Sequence, residues 1–132
     1  TTNKLTANQI NLLIATCTDE YLDGEHPLTD GNGNSWAWSC LDWAPEVSRG
    51  GITSRAVAAG LIWHNQDTDR RNGKVIDAST LGITQAGWDA ICAHIGTDPA
   101  DLDGALAAIK GDEEELKQNK QTALAPYKGS GG

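Results

Sequence analysis

The residues best suited to chemistry are cations and hydroxyls that lie between positions 49 and 74. The first group is Arg49, Thr53, Ser54 and Arg55, and the second is Arg70, Arg71 and Lys74. Guanidinium and hydroxyl groups hydrogen-bond the base edges of a major groove, and lysine and arginine neutralise phosphates. The chemistry that these residues indicate is non-covalent binding of a nucleic acid duplex, and the alternative is an ordinary charged face in contact with solvent.

Catalytic and metal-binding patterns do not appear in the sequence. The three histidines, His26, His64 and His94, have no partner at ligand or triad spacing, and there is no nucleophile elbow, carboxylate pair or phosphate loop. The odd number of cysteines, without a CxxC pair, argues against zinc. Cys17 and Cys92 fall on apolar helix faces, which predicts buried thiols. We expect no enzyme activity, no metal and no cofactor.

The two groups of cations need a helix and a hairpin to position them. The sequence predicts a helix from Gly50 to Ala59 that ends at Gly60, a residue suited to a left-handed cap. Ile52, Ala56 and Val57 should face the core, so that the first group projects outwards. Apolar residues 61–64 predict a strand, residues 65–73 a polar tip, and residues 74–79 the returning strand.

A second helix should follow the hairpin. Thr84 is its expected cap, and its apolar residues recur at the spacing of one helical face. Those residues are Trp88, Ile91, Cys92 and Ile95. Helix, hairpin and helix follow one another in the order of a winged helix-turn-helix domain.

Three short motifs carry a resemblance to that family. Residues 51–62 (GITSRAVAAGLI) resemble a winged-helix recognition helix, and Asp69-Arg70-Arg71 is similar to the wing signature of MarR-type transcription regulators. Residues 83–87 (ITQAG) resemble the Leu-Thr-x-x-Gly that opens their next helix. The resemblance spans roughly residues 5–22 and 47–95. It implies a recognition helix in the major groove and a wing anchored by Arg70, Arg71 and Lys74.

The charge distribution agrees with this interpretation, although the net charge of −8 argues against a general nucleic-acid coat. Residues 1–46 carry one cation and seven acids, and residues 77–132 carry four cations and nine acids. Residues 47–76 carry five cations and two acids. The positive charge is thus concentrated on the predicted helix and hairpin, as a small DNA-binding domain requires.

The segment before the recognition helix combines a first helix with a polar loop. Thr6 and Gln9 form a capping box for a first helix over residues 7–21. Residues 23–45 form an inserted Gly/Asn/Trp loop. Asp30 to Asn34 begins like a calcium loop, but Ser35 stands where such a loop needs Gly and Leu41 where it needs Glu. Turn chemistry explains the Asn-Gly pairs equally well.

The spacing of the aromatic stretch Trp36 to Trp43 does not decide between a helix and a strand. Trp36, Cys40 and Trp43 could share a helix face, whereas Trp36, Trp38 and Cys40 could share a strand face. One role is a core plug in a chain that has no Phe. The other is an aromatic platform for bases or a sugar, which would need an exposed indole.

The C-terminal part predicts a helical arm over residues 97–125, with Asp98 as cap and Pro99 in the first turn. Its apolar stripe comprises Leu102, Ala105, Leu106 and Ile109. The stripe either forms a homodimer or packs back on the first helix. Residues 126–132 are expected to be a flexible tail.

The sequence therefore predicts an α+β winged helix-turn-helix domain over residues 1–96, mostly helical with a small β-hairpin wing, followed by the arm and tail. The function expected is that of a sequence-specific double-stranded DNA-binding regulator in the cytoplasm, with no membrane segment. The alternative is an acidic winged-helix scaffold without DNA binding, such as a phage or plasmid accessory protein. That scaffold would bind a protein partner through its acidic or Trp-rich surface.

Overall fold

The computed structural model describes residues 5–19, 22, 26–28 and 35–113. Within them the chain forms an α+β fold of five helices and five short strands. In chain order these are α1 (Ala7–Thr18), β1 (Ser35–Trp36), α2 (Ala37–Cys40), α3 (Glu46–Ala58), β2 (Ile62–Asn65), β3 (Thr68–Arg71), β4 (Lys74–Asp77), β5 (Thr80–Ile83), α4 (Gln85–Ile95) and α5 (residues 102–113). No helix in this part is both long and apolar enough to cross a membrane.

Helix α1 begins at the predicted capping box. The Thr6 hydroxyl accepts the Gln9 amide at 3.1 Å, and the Gln9 side chain accepts the Thr6 amide at 3.0 Å. The helix ends at Thr18 rather than near Tyr21, because Asp19 already has an extended backbone. Its apolar face is the centre of the core, where Leu12 and Leu13 have no exposed surface.

The central sheet has three antiparallel strands in the order β1, β5, β2. Strand β5 lies between the other two, so Leu81 pairs with Ser35 on one side and with His64 on the other. Leu81 is fully buried and Ile83 nearly so. The side chains of these two β5 residues join the sheet to the helical core, since alternate residues of a strand share one face.

The chain from β2 to β5 is one long hairpin with one register, although β3 and β4 pair as a separate two-stranded sheet. Asn65 pairs with Thr80, Thr68 with Asp77, and Arg71 with Lys74. The predicted polar tip over residues 65–73 is therefore wrong, because residues 68–71 form β3. The turn itself is Asn72-Gly73, whose φ values of 53° and 78° suit a two-residue hairpin turn.

The aromatic stretch combines the two structures that its spacing allowed. Trp36 belongs to β1, and Ala37 to Cys40 form the single turn of α2. Trp36 and Trp43 are half-buried, and the Trp43 indole donates to the Cys40 carbonyl at 2.6 Å. Trp38 is 49% exposed, so this stretch supplies both core contacts and one surface indole.

Helix α4 has the predicted cap and end. The Thr84 hydroxyl accepts the Gly87 amide at 3.0 Å, and Gly96, with φ 89°, closes the helix. Trp88 and Ile91 are completely buried. The Trp88 indole donates to the Pro99 carbonyl at 2.9 Å, which holds the following turn against the core.

Helix α5 starts later than predicted. Asp98 accepts the Ala100 amide at 2.9 Å within a turn, and Asp101, which accepts the Gly104 amide at 3.1 Å, caps the helix instead. Ala105 and Ile109 are fully buried in the same core as α1. The apolar stripe of the arm therefore packs on the chain's own core, which is one of the two outcomes expected from the sequence.

His26 ties the chain before β1 to the C-terminal helices. Its Nε2 lies 3.1 Å from the Leu102 carbonyl, and its Nδ1 accepts the Leu28 amide at 3.1 Å. These partners place the ring proton on Nε2. The ring also meets Trp88 edge to face, with 4.9 Å between ring centres.

The three cysteines are free and buried, as expected for Cys17 and Cys92. Burial raises the pKa of the Cys17 thiol, and burial followed by the nearby Asp19 carboxylate raises that of Cys40. The Cys40 thiol donates to the Asp19 carboxylate at 3.6 Å. Three sequence predictions lie outside the described residues: the calcium-like loop from Asp30 to Asn34, the arm beyond residue 113, and the tail at 126–132.

Candidate nucleic-acid interface

Helix α3 positions the first group of predicted contacts. It begins at Glu46, directly after Pro45, and Gly60 with φ 75° follows its end. Ile52 and Ala56, four residues apart, anchor the helix in the core. Val57 was expected to join them, but it is 41% exposed. The face turned to the core is therefore narrower than the sequence indicated.

Two of the four predicted contact residues on α3 are held by the chain itself. Thr53 is only 7% exposed, and its hydroxyl donates to the Arg49 carbonyl at 2.9 Å. The expectation that Thr53 projects outwards is wrong, because the threonine lies toward the core beside Ile52. Arg49 is half-buried, and its Nε donates to the Ala44 carbonyl at 3.0 Å. Arg49 thus fixes the start of α3 to the preceding turn.

Ser54 and Arg55 are exposed, as expected. At 100° per residue, Ser54 lies near the middle of the outer face of α3 and Arg55 lies toward one edge. Ser54 lines the groove between α3 and the hairpin, whereas Arg55 does not. Arg55 is therefore the exposed arginine on the edge of α3 away from the hairpin.

The second group of predicted contacts lies at the exposed end of the hairpin. Arg70, Arg71 and Lys74 are all exposed, next to the Asn72-Gly73 turn. Arg71 Nε lies 3.8 Å from a carboxylate oxygen of Asp69, and both side chains are more than half exposed. Such a surface pair stabilises little, so Arg71 can exchange it for a phosphate.

Strand alternation separates these three cations onto two faces. Arg71 and Lys74 are directly opposite each other in the register, so they share one face of the hairpin. Arg70 is opposite Val75 and shares the other face with Thr68 and Asp77. Thr68, Val75 and Asp77 line the groove beside α3. Arg70 therefore extends the groove side of the hairpin, and Arg71 and Lys74 point away from it.

The groove itself has a volume of about 760 Å³ and runs between α3 and the hairpin. His64 is half-buried in its wall. Hydrogen bonds from the Ser79 hydroxyl and amide hold the pKa of Asp77 below its ordinary value. The groove therefore keeps a negative charge near its wall, where Arg49 also lies, and Arg70 extends the outer end of the hairpin on that side.

Most of the described arginines and lysines lie on α3 or on the hairpin. Among the described residues, the arginines and lysines are Arg49, Arg55, Arg70, Arg71, Lys74 and Lys110. All of these except Lys110 lie on α3 or the hairpin. The described part of the chain contains no group of three histidine, cysteine, aspartate or glutamate residues that could hold a metal ion.

Sequence reasoning missed the exposed valines of this surface. Val47 is 93% exposed, Val57 41% and Val75 61%. Val47 was overlooked because the two glycines at positions 50 and 51 suggested a later helix start. In a helix that begins after Pro45, Val47 lies on the side opposite the buried Ile52 and Ala56.

No protein-family model matches this chain, and searches of curated proteins and of solved structures found no significant match. The function is therefore inferred from the geometry and charge of this surface.

Proposed function

We propose that this chain is a sequence-specific double-stranded DNA-binding protein of the winged-helix type, acting as a small transcription regulator. Helix α3 is the recognition helix in the major groove, and the β2 to β5 hairpin is the wing. Ser54 and Arg55 face the DNA from the helix, and Arg70, Arg71 and Lys74 contact phosphates from the wing. Arg49 and Thr53 support the helix from within.

The order of the elements supports the fold part of this proposal. Helix α3, the long hairpin and helix α4 follow one another, as the motifs at residues 51–62, 69–71 and 83–87 predict. Strand β1 adds to the hairpin through β5, so that the base of the wing is part of the central sheet. The wing therefore extends from a rigid base beside α3.

The observation that carries the functional part is the position of the cations. Five of the six arginines and lysines in the described residues lie on α3 and the hairpin of an otherwise acidic chain. Phosphate neutralisation supplies much of the affinity of proteins for DNA. A chain with net charge −8 needs such a concentration to bind a polyanion at all. Asp67, Asp69 and Asp77 on the same hairpin limit binding that is not sequence-specific.

Fluorescence anisotropy with mixed genomic duplex fragments tests the proposal. The wild type should bind at about 50 mM salt and weaken steeply toward about 200 mM. Arg70→Ala/Arg71→Ala should lose most of that affinity and reduce the salt slope by about two, because each phosphate contact contributes about 0.9. Lys110→Ala is the matched control, since it removes an exposed cation from α5 and should leave binding unchanged.

A protein-interaction scaffold is the second candidate, favoured by the exposure of Trp38 and by the acidic charge. Under that function, the wild type would not retain duplex DNA even at about 50 mM salt. Equal loss of affinity in Lys110→Ala and in the double variant would also contradict the DNA proposal, because it would show attraction by charge alone.

A further inference from the structure

The outer face of α3 is apolar or small along its whole length. Val47, Ser54 and Ala58 lie at helical spacing along its middle, with Gly50 and Gly51 between them. Val57 lies on the edge toward the hairpin, where it lines a smaller groove together with His64 and Gln66. This face carries no charged group at its centre.

Packing among the described residues does not explain this composition. A Cβ atom at Gly50 or Gly51 would meet no described residue within 4 Å, so neither glycine is needed to make room for the fold. Glycine within a helix is unfavourable relative to alanine, and Val47 leaves 93% of its surface in water. The face is suited to close approach by something outside the described chain.

Charge on both sides of the face indicates a nucleic acid duplex as the occupant. Arg55 lies on the edge of α3 away from the hairpin, and Arg70 lies beyond the other edge, on the side of the hairpin that faces α3. In a major groove the base edges lie between two rows of phosphates. A helix with an apolar centre and cations on both sides is complementary to that arrangement.

The chemistry of the centre then selects the base. Valine methyls cannot donate or accept hydrogen bonds, and the thymine 5-methyl group is the apolar feature of the major groove. We infer that α3 recognises thymine by methyl contacts from Val47 and Val57, with Gly50 and Gly51 letting the helix backbone approach the bases. This inference rests on the proposed DNA-binding function and adds the bases that the helix selects.

Selection from a pool of random duplexes provides the probe. The wild type should enrich thymine-containing sites, and the enriched duplexes are then copied with deoxyuridine in place of thymidine, which removes the methyl groups and leaves base pairing intact. Affinity should fall about fourfold for each methyl contact removed. Anisotropy of the two duplexes at one salt concentration measures the ratio.

Substitutions assign the contacts to α3. Val47→Ala and Val57→Ala should each bring the thymine to uracil affinity ratio closer to one, while circular dichroism shows that the helices are retained. Both sites are exposed and alanine favours helix, so loss of folding is not expected. Val75→Ala removes an exposed valine of the hairpin instead and should leave the ratio unchanged.

The outcomes separate the inference from the function on which it rests. Duplex binding with a thymine to uracil ratio near one, or binding without any enriched sequence, would overturn the methyl contacts and leave the DNA-binding function standing. The methyl contacts would also be overturned if Val75→Ala brought the thymine to uracil affinity ratio to one and Val47→Ala left it unchanged. Failure to retain any duplex at low salt would overturn the proposed function.

Discussion

Helices α4 and α3 flank the hairpin in the chain, and they use similar residues in opposite ways. In α4 the tryptophan and isoleucine are completely buried, and a Cβ at Gly87 would collide with the Leu61 carbonyl oxygen. In α3 two valines are exposed, and Gly50 and Gly51 face open space. Packing inside the fold therefore explains Gly87, Trp88 and Ile91 of α4, whereas it does not explain the exposed valines and the two glycines of α3.

This difference separates residues that hold the fold from residues that are available for binding. Burial in α4 stabilises the chain, so substitution there should change the free energy of unfolding. The outer face of α3 should tolerate substitution as far as stability is concerned, and the effects should appear in binding. The three predictions below test that separation, from the largest expected effect to the smallest.

Replacing the tryptophan of α4 should give the largest loss of stability. Trp88→Ala removes a fully buried side chain, its hydrogen bond to Pro99 and its contact with His26. The free energy of unfolding should fall by about 3 to 5 kcal/mol, as for other buried aromatic side chains. Urea denaturation followed by circular dichroism measures this change.

Val47→Ala on α3 is the control for that prediction, because Val47 is 93% exposed. Its effect should be about 1 kcal/mol or less, since it removes little buried surface. If the two variants lose similar stability, the contrast between the buried residues of α4 and the exposed face of α3 is wrong.

Glycine substitution should have opposite effects in the two helices. Gly87→Ala places a methyl group against the Leu61 carbonyl and the Ile83 side chain, and it should cost about 2 to 3 kcal/mol. A methyl group added at Gly51 would meet no described residue, so Gly51→Ala should stabilise α3 by about 1 kcal/mol. Thermal unfolding of both variants and of the wild type measures the two changes, a decrease in stability for Gly87→Ala and an increase for Gly51→Ala.

Duplex DNA binding by the Gly51→Ala variant adds a second test of the glycines of α3. If α3 approaches DNA closely, Gly51→Ala should weaken duplex binding although it strengthens the helix. A variant that is more stable and binds as well as the wild type would show that the glycines of α3 have no part in the interface.

Alkaline pH should destabilise the packed region through its thiols. The pKa values of Cys17 and Cys40 are raised above their ordinary value of 9.0, so above about pH 9 the unfolded chain releases thiol protons that the folded chain keeps. Stability should therefore be unaffected by these thiols below about pH 8. It should decrease above about pH 9 by about 1.4 kcal/mol per pH unit for each thiol.

Cys17→Ala is the variant that isolates this effect, because lysines and tyrosines also titrate at high pH. The stability of the variant, measured by urea denaturation from about pH 7 to about pH 11, should decline less steeply than that of the wild type. Equal slopes would mean that the Cys17 thiol ionises as readily in the folded chain as in the unfolded one.

The sequence predicted those parts of the fold that depend on local chemistry. The capping box at Thr6 and Gln9, the cap at Thr84 and the glycine after α3 lie where the structure has them. Each is a contact between residues close in the chain, which the residue types alone determine. The α+β class follows from them and from the strands.

The errors arose where the residue types did not mark the element or the direction of a side chain. Residues 68–71 are polar and exposed, so no apolar alternation marked them as a strand, and the register with β4 is what orders them. Helix α3 starts at Glu46 because Pro45 favours a helix start, although the glycines weaken the pattern. For the candidate site, residue type indicated the exposed cations. It did not show that Thr53 would turn inward to the Arg49 carbonyl.

The outer half of the hairpin has a consequence for how this protein can change. Strands β3 and β4 pair with each other, separately from the three-stranded sheet, and apart from Ile76 their residues are exposed. The segment can therefore be shortened, lengthened by paired residues or rewritten in sequence without altering the core. Such a chain can acquire a new binding preference in one short exchange and keep its fold.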